Sequence, residues 1–501
     1  MSEPGTGGAG AGRRAVLVAV VAAADELGHA SLSGLDPVAD GLEVRADLVG
    51  DPEPRRLRRL FGGRLIYTLR TRRQGGNHGG APAERRERLL RAAAEYDLVD
   101  LEWPDDLVPE LTSRIPPWQR RVSWHGPERE HGGMRSLFGA MAGVPAALYL
   151  LVPKSSPAAA PGLLAALGRS DVTAFGIGES GLWTRVLAPW LGAPVAFGRV
   201  GEAGADGMPS VRRLALDYGL PALPRLDALY GIAGPAPEHS LAPRLYNAAL
   251  RELGLPALYL PFATDSLACL LRSAAVLGGR TGLALRGLTV TAPHKEDAMG
   301  LADQVTPSAR GAGAANVLWH RDGRWHADTT DAAAALDALA RAGVDPAGRR
   351  AAVIGCGGAG RAAALALHLA GASVTLVNRG RARGRQAAAL TGLPFVPLAR
   401  FSARGYSLLV HATPLADSAP FRLAAADPGA AVLDLVYRDG PTALAAAARS
   451  HGLPVIDGRE VLLVEMREQF RLLTGRRMPL GPALLALGLR RRTEVRPAGN
   501  Q

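Results

Sequence analysis

Residues 349–361 read Arg-Arg-Ala-Ala-Val-Ile-Gly-Cys-Gly-Gly-Ala-Gly-Arg, and their order decides how the second half of the chain folds. The run up to Ile354 is short, apolar and bounded by glycine, the pattern of a fully buried strand. Gly355, Cys356, Gly357, Gly358, Ala359 and Gly360 form a tight turn, and the alanine- and leucine-rich run to Ala370, closed by Gly371, predicts a helix. Residues 373–379, SVTLVNR, return as the next strand. Strand, glycine turn, helix and strand make a βαβ unit with a helix N-terminus aimed at a phosphate. In it Gly355 permits the turn, Gly357 lets backbone amides approach a pyrophosphate, and Gly360 lets the helix pack close to the strand; Gly358 and Ala359 complete the cofactor-binding segment.

The end of the second strand selects between the two nicotinamide dinucleotides. An acidic residue there would accept from the ribose 2′-hydroxyl of NAD. Asn378 and Arg379 occupy that position, with Arg381 and Arg383 beyond them. Planar guanidinium forks suit a 2′-phosphate, so the expected cofactor is NADP(H).

The whole chain, 501 residues of 48% hydrophobic composition, exceeds what one core holds, so two or three domains are expected. The formal charge of +12 is spread singly and in pairs with few aromatics, a solvated arginine surface rather than a nucleic-acid stripe. Small-molecule substrates are the expected partners, with neither nucleic acid nor membrane. Of the 58 basic residues only Lys154 and Lys295 are lysine, and lysine gives up its proton far more readily than arginine, so each marks a place where chemistry needs it. Two cysteines far apart, Cys269 and Cys356, argue against a disulfide framework or a zinc site, and no metal is expected; a reducing cytoplasm fits. Arg13-Arg14 followed by AVLVAVVAAA imitates a secretory signal, but the run is short and ends in Asp-Glu, and a first buried strand is favoured.

From Ala15 to Arg199 come eight short apolar or alternating runs, each separated by room for a helix: AVLVAVV, GLEVRAD, LIYTLR, YDLVDLEW, RRVSWHG, AALYLLV, VTAFGIG and APVAFGR. Eight such repeats predict a (β/α)8 barrel, whose chemistry lies where the strands end. Glu43, Arg45, Arg70, Glu102 and His125 fall near those ends. The competing structural reading makes Arg45 and Glu102 a packed ion pair and His125 a satisfied core histidine. Pro221-Ala-Leu-Pro224 reads as a linker. The expected fold is therefore α/β throughout. Residues 1–14 would be disordered and 15–222 the barrel. An α/β substrate domain would span 228–342, completed by C-terminal helices at about 455–490, with a Rossmann domain over 346–454.

Over about Leu229 to Gly475 the motifs resemble shikimate dehydrogenase. Ser240 in HSLAP resembles the first serine of that family's Ser-x-Ser-Pro, GLTVTAPHK its GFNVTxPHK, GAGAANV its GAVNT, DTTD its NTD, and DLVY, ending at Tyr437, its D-x-x-Y. The resemblance implies that Ser240, Thr291 and Asn316 hold a hydroxylated carboxylic acid, and that Lys295 and Asp331 form the catalytic pair. It implies a substrate contact from Glu465 and a cofactor contact from Tyr437. Ala242, Thr329, His411 and Glu465 depart from the family pattern, with glutamine usual at 465. Shikimate and a quinate-type polyol acid both remain open as substrates.

Residues 15 to 220 resemble type I 3-dehydroquinate dehydratase, fused ahead of shikimate dehydrogenase in bifunctional enzymes. Glu43-Val-Arg45, TLRTRRQGG, Ser123-Trp-His125 and TRVLAPWLGAPVAFG carry the likeness. It implies substrate contacts from Glu43, Arg45, Arg70 and Arg185, proton transfer by His125, and a Schiff base from a strand lysine. A gap-free alignment puts Leu148 at the lysine position; a shifted one puts Lys154 there. Gln74, Gly204 and Met208 replace further family residues. Both an active dehydratase and a degenerate, ligand-binding or structural barrel stay open.

Overall fold

The computed structural model describes residues 14–127, 131–154, 158–202, 204, 207–438 and 440–486. Of the segment expected to be disordered, residues 1–13 lie outside the described residues, as do residues 487–490 of the C-terminal helical segment.

The eight apolar runs form eight parallel strands: β1 (Val16–Val21), β2 (Gly41–Arg45), β3 (Arg64–Thr68), β4 (Leu98–Glu102), β5 (Arg120–Gly126), β6 (Leu148–Pro153), β7 (Val172–Ala174) and β8 (Val195–Arg199). They pair in sequence order, with β8 returning beside β1, and Thr173 Oγ1 donates across the remaining seam to the Val195 carbonyl at 3.4 Å. Parallel strands covered on both faces are continuously apolar, which is why the runs are legible in the sequence. Along β6, Leu148, Leu150 and Val152 face the barrel interior, while Tyr149 and Leu151 pack outward.

Residues 220–227 are no loose tether: Leu220, Leu223 and Leu226 are buried in the same cluster as barrel and second-domain residues. A second sheet follows, built from β9 (Ala228–Gly234), β10 (Ala257–Ala263), β11 (Ala284–Val290), β12 (Gln304–Val305), β13 (Val317–Arg321) and β14 (Arg324–Asp328), in the order β10-β9-β11-β13-β14-β12. The C-terminal helices Gly458–Thr474 and Leu480–Ala486 cover it, with Met466, Phe470 and Ala483 packed on Tyr246 and Tyr259.

The third sheet comprises β15 (Arg350–Ile354), β16 (Ser373–Asn378), β17 (Phe395–Pro397), β18 (Leu408–His411), β19 (Ala431–Asp434) and β20 (Val455–Ile456), in the order β17-β16-β15-β18-β19-β20. The order in which the parallel strands are added reverses between β15 and β18, the switch point at which such sheets bind dinucleotides.

Candidate active sites

At that switch point β15 runs into the glycine turn. Gly355 has φ +116°, and a Cβ there would lie 2.4 Å from the Ala412 carbonyl oxygen. A Cβ on Gly360 would fall 1.9 Å from the Gly355 oxygen, so only glycine lets the helix Gly358–Leu369 start this close to the strand. Around Gly357 the space is open, leaving its backbone approachable. Asn378 braces the turn by accepting from the Cys356 amide at 3.2 Å and donating to the Gly380 carbonyl at 2.9 Å. Burial pushes the Cys356 thiol up to about 11, so it stays protonated and inert.

The turn floors a cleft of about 770 Å³ whose wall includes Asn378, Arg379, Arg383, Thr413 and Tyr437. Arg379 is exposed and forms no ion pair among the described residues, while Arg383 reaches the exposed carboxylate of Glu296 at 3.3 Å. No acidic side chain stands at the end of β16. The cleft, the helix N-terminus and a free guanidinium fit a dinucleotide bearing a 2′-phosphate.

The same cleft meets a cavity of about 190 Å³ lined by Ser240, Thr291, Lys295, Asp331, Tyr437 and Glu465. Lys295 opens the helix Lys295–Gly300, and Asp331 opens the helix Asp331–Arg341. The Lys295 ammonium donates to Asp331 Oδ2 at 2.8 Å. Burial alone would lower this lysine, but the Asp331 carboxylate and then Glu465 outweigh it and hold the ammonium above the ordinary lysine range. A Cβ on Gly358 would lie 3.3 Å from Lys295 Cδ, so the glycine turn and the lysine stem touch across the two domains. Asn316 Nδ2 lies 3.1 Å from Asp331 Oδ1 and 2.9 Å from Glu465 Oε1, and its Oδ1 accepts from the Thr330 amide at 2.9 Å. Ser240 Oγ accepts from the Ala242 amide at 3.1 Å and also contacts the Tyr437 hydroxyl. Burial, aided by nearby Glu465 and opposed by the Ser240 hydrogen bond, raises that phenol above its usual range, so it stays neutral. Tyr437, expected on the cofactor side, lines both spaces.

Several participants escaped the sequence reading. Gln469, one helical turn after Glu465, donates to Glu465 Oε1 at 2.8 Å and accepts from Tyr246 at 3.0 Å; the i,i+4 spacing was the available signal. Arg361 is buried and ties the Cys356 and Ala312 carbonyls to Glu296. His411, noted only as a departure, is fully buried between Asp434 at 3.0 Å and Thr413 at 2.7 Å.

In the barrel, a cavity of about 80 Å³ is lined by Glu43, Arg45, Arg70, His125 and Arg185 together with apolar side chains. The expected Arg45–Glu102 ion pair does not form. Arg45 chelates Asp47 two residues on, at 2.9 and 2.8 Å, whereas Glu102 binds Arg70 at 2.9 Å, because β3 lies between their strands. Arg70 also reaches Asp100 and Ser123 at 2.8 Å each. Arg121, missed by the sequence reading, is fully buried and clasps both oxygens of Glu43 at 2.9 Å and Asp100 at 2.6 Å. Burial would raise the Glu43 acid, but Arg121 overcomes this and holds it below the carboxylate range. Arg121 shares a face with Ser123 and His125, a period-2 signal in RRVSWHG.

Arg185 differs from Arg45 and Arg70. It is 2% exposed, lies 4.0 Å over the Phe175 ring and, among the described residues, bonds only the Phe197 carbonyl at 3.3 Å and leaves Nε without a partner; burial lowers it to about 9. His125 Nδ1 is likewise buried and has no partner among the described residues, and burial followed by Arg70 and Arg121 holds it neutral. Gln74 orients its backbone, accepting from the His125 amide at 2.9 Å. Leu148 pairs in register with Arg121 inside the barrel, away from the cavity wall. Lys154 lies just past the end of β6, at the C-terminal face, with Nζ 3.2 Å from where a Gly75 Cβ would sit; Gly75 lines the cavity.

The fold and the Lys295 site define a dinucleotide-dependent oxidoreductase of the α/β class, carried behind a parallel barrel. Residues 232–318 match the shikimate dehydrogenase substrate binding domain, and residues 16–220 match type I 3-dehydroquinase. The NADP(+) shikimate dehydrogenase of Citrifermentans bemidjiense is 37% identical over 284 residues, 53% of this chain and 97% of that protein. That of Rubrobacter xylanophilus is 39% identical over 273 residues, 51% of this chain and 94% of that protein. The chain belongs to the shikimate dehydrogenase family. Among solved structures, shikimate 5-dehydrogenase from Thermus thermophilus is 34% identical, with a TM-score of 0.47, covering 52% of this chain and 97% of that one. A dehydroquinate dehydratase and shikimate dehydrogenase structure from S. pombe is 23% identical, with a TM-score of 0.43, covering 95% of this chain and 98% of that one.

Proposed function

We propose that the second half of the chain reduces 3-dehydroshikimate to shikimate with NADPH, and that the observation carrying this is the 2.8 Å Lys295–Asp331 pair where cleft and cavity meet. NADPH supplies a hydride to the ketone carbon when bound in the cleft, where Arg379 would face the 2′-phosphate and Gly357 the pyrophosphate. The protein's own part is to stabilise the charge that develops on the ketone oxygen and to protonate it. Lys295 is the donor: its ammonium remains charged at neutral pH, and unlike a guanidinium it can release the proton. Asp331 holds that ammonium in one direction, and Asn316 holds Asp331. Ser240 and Thr291 present hydroxyls to the substrate's own hydroxyl and carboxylate groups. In the reverse direction Lys295 must be deprotonated to accept the alcohol proton, so the oxidation rate at saturating shikimate rises with pH. Purified protein given NADPH and 3-dehydroshikimate should oxidise the cofactor; no turnover would reject the reading. A quinate-type substrate is the second reading, favoured by Ala242 and Glu465 where the family uses serine and glutamine.

For the barrel, we propose binding of a small carboxylate at Arg185, the buried guanidinium that lacks an acidic partner. Schiff-base chemistry there rests on Lys154 alone, since Leu148 fills the other lysine position. Borohydride trapping with 3-dehydroquinate decides it: an adduct on Lys154 establishes dehydratase chemistry with His125 as proton carrier, and no adduct excludes it. The same reading places the protein in the cytoplasm, without nucleic-acid or membrane partners; no described helix is long and apolar enough to cross a membrane.

A further inference from the structure

Glu465 stands where the resemblance expects glutamine, and its surroundings specify what a carboxyl must do there. Its Oε1 accepts two amide N–H groups, from Asn316 Nδ2 at 2.9 Å and Gln469 Nε2 at 2.8 Å. Oε2 makes no hydrogen bond to the described residues, and Glu465 forms part of the cavity wall. The Asn316 amide nitrogen serves Asp331 Oδ1 as well, so two carboxyls converge on one donor. They face a single ammonium, Lys295, and that ammonium is bonded to Asp331.

The groups facing Glu465 from every packed element are Lys295, Asp331, Asn316, Gln469 and the phenols of Tyr246, Tyr259 and Tyr437. All three phenols are held neutral by burial. One cation therefore stands against two carboxyls before any ligand arrives, and a carboxylate substrate would make three. The Lys295 ammonium bonds Asp331, and Glu465 forms no ion pair among the described residues. A single proton relieves the excess, and with Oε1 filled by two donors it belongs on Oε2.

We infer that Glu465 works as a neutral carboxylic acid whose Oε2 proton admits and hydrogen-bonds the anionic substrate, making it a proton-gated specificity residue. Burial, followed by the Asp331 carboxylate, pushes this acid up to about 7, against the opposing pull of Lys295 and the two amides. Protonated, Glu465 sets an O–H donor beside its acceptor oxygen, where glutamine sets an NH2 group; ionised, it offers only acceptors and repels the ligand's carboxylate. Binding is thus coupled to proton uptake.

The inference rests on the reading of this site as one for a hydroxylated carboxylic acid. Its test is calorimetric titration of the full chain with shikimate from about pH 5.5 to 8.5, in buffers of different ionisation enthalpy. The expected result is a Kd that weakens about tenfold per pH unit above roughly 7, with about one proton taken up per shikimate bound near pH 8. Glu465→Gln should make Kd flat across the range and abolish the uptake. A flat Kd with no proton uptake in the unmodified protein overturns the inference while leaving the functional reading intact, and an unchanged slope in Glu465→Gln does the same. No shikimate binding at any pH, together with no NADPH-dependent reduction of 3-dehydroshikimate, overturns the functional reading and the inference with it.

Discussion

Single residues in both sites are held in states that their surroundings dictate. Glu465 gives a stability signature apart from ligand binding. Its folded value of about 7 lies above the ordinary 4.5, so between those values the folded chain keeps a proton that the unfolded chain has lost. Stability from this group is present below about pH 4.5 and falls as pH rises to about 7. Glu465→Gln should therefore raise Tm near pH 8 and change it little near pH 4.5, as read by thermal melts. Arg185 is the opposite case, a buried cation with no ion pair among the described residues, held by the Phe197 carbonyl and the Phe175 ring. Arg185→Met should stabilise the ligand-free protein, on the order of 1–3 kcal/mol in a denaturant titration, by removing a buried charge that no ion pair compensates. It should at the same time abolish binding of small carboxylates in the barrel. Destabilisation instead would mean that the guanidinium serves packing on Phe175 rather than an anion.

Elements were legible where burial writes a period into the sequence. The eight barrel runs and the 349–379 unit were found because parallel strands covered on both faces are apolar throughout, and because a turn this tight admits only glycine at Gly355 and Gly360. Side-chain partnerships were not legible. Arg45 binds Asp47 rather than Glu102, and Arg121 joins Glu43 to Asp100, because which inward-facing charge meets which depends on strand order around the barrel. Lysine scarcity marks Lys295, but its pairing with Asp331, 36 positions away, is legible only through motif resemblance; both begin helices whose N-termini converge. The glycine turn gives the test at this scale. Gly360→Ala places a methyl 1.9 Å from the Gly355 oxygen, so helix and strand must separate. NADPH affinity, read by quenching of nicotinamide fluorescence, should fall at least tenfold, about 1.4 kcal/mol. Unchanged affinity would show that the turn does not hold the pyrophosphate.

At the scale of the whole molecule, barrel and dehydrogenase share one continuous apolar cluster rather than hanging on a linker. Trp183 packs its ring 5.7 Å from Phe262, Arg244 reaches Asp217 at 2.8 Å, and Leu220, Leu223 and Leu226 are buried between the two. Residues 228–486 expressed without the barrel should melt several degrees lower than in the full chain, because Phe262 and its neighbours lose their cover; an equal Tm would mean that the shared cluster contributes nothing. The proposed role of Lys295, held by Asp331 and protonating a ketone reduced by NADPH, is measured by following cofactor absorbance with 3-dehydroshikimate. The unmodified chain should consume NADPH, and a folded Lys295→Ala variant with unchanged NADPH affinity should lose activity by about 10²–10⁴-fold. Turnover in Lys295→Ala equal to that of the unmodified chain would contradict the account.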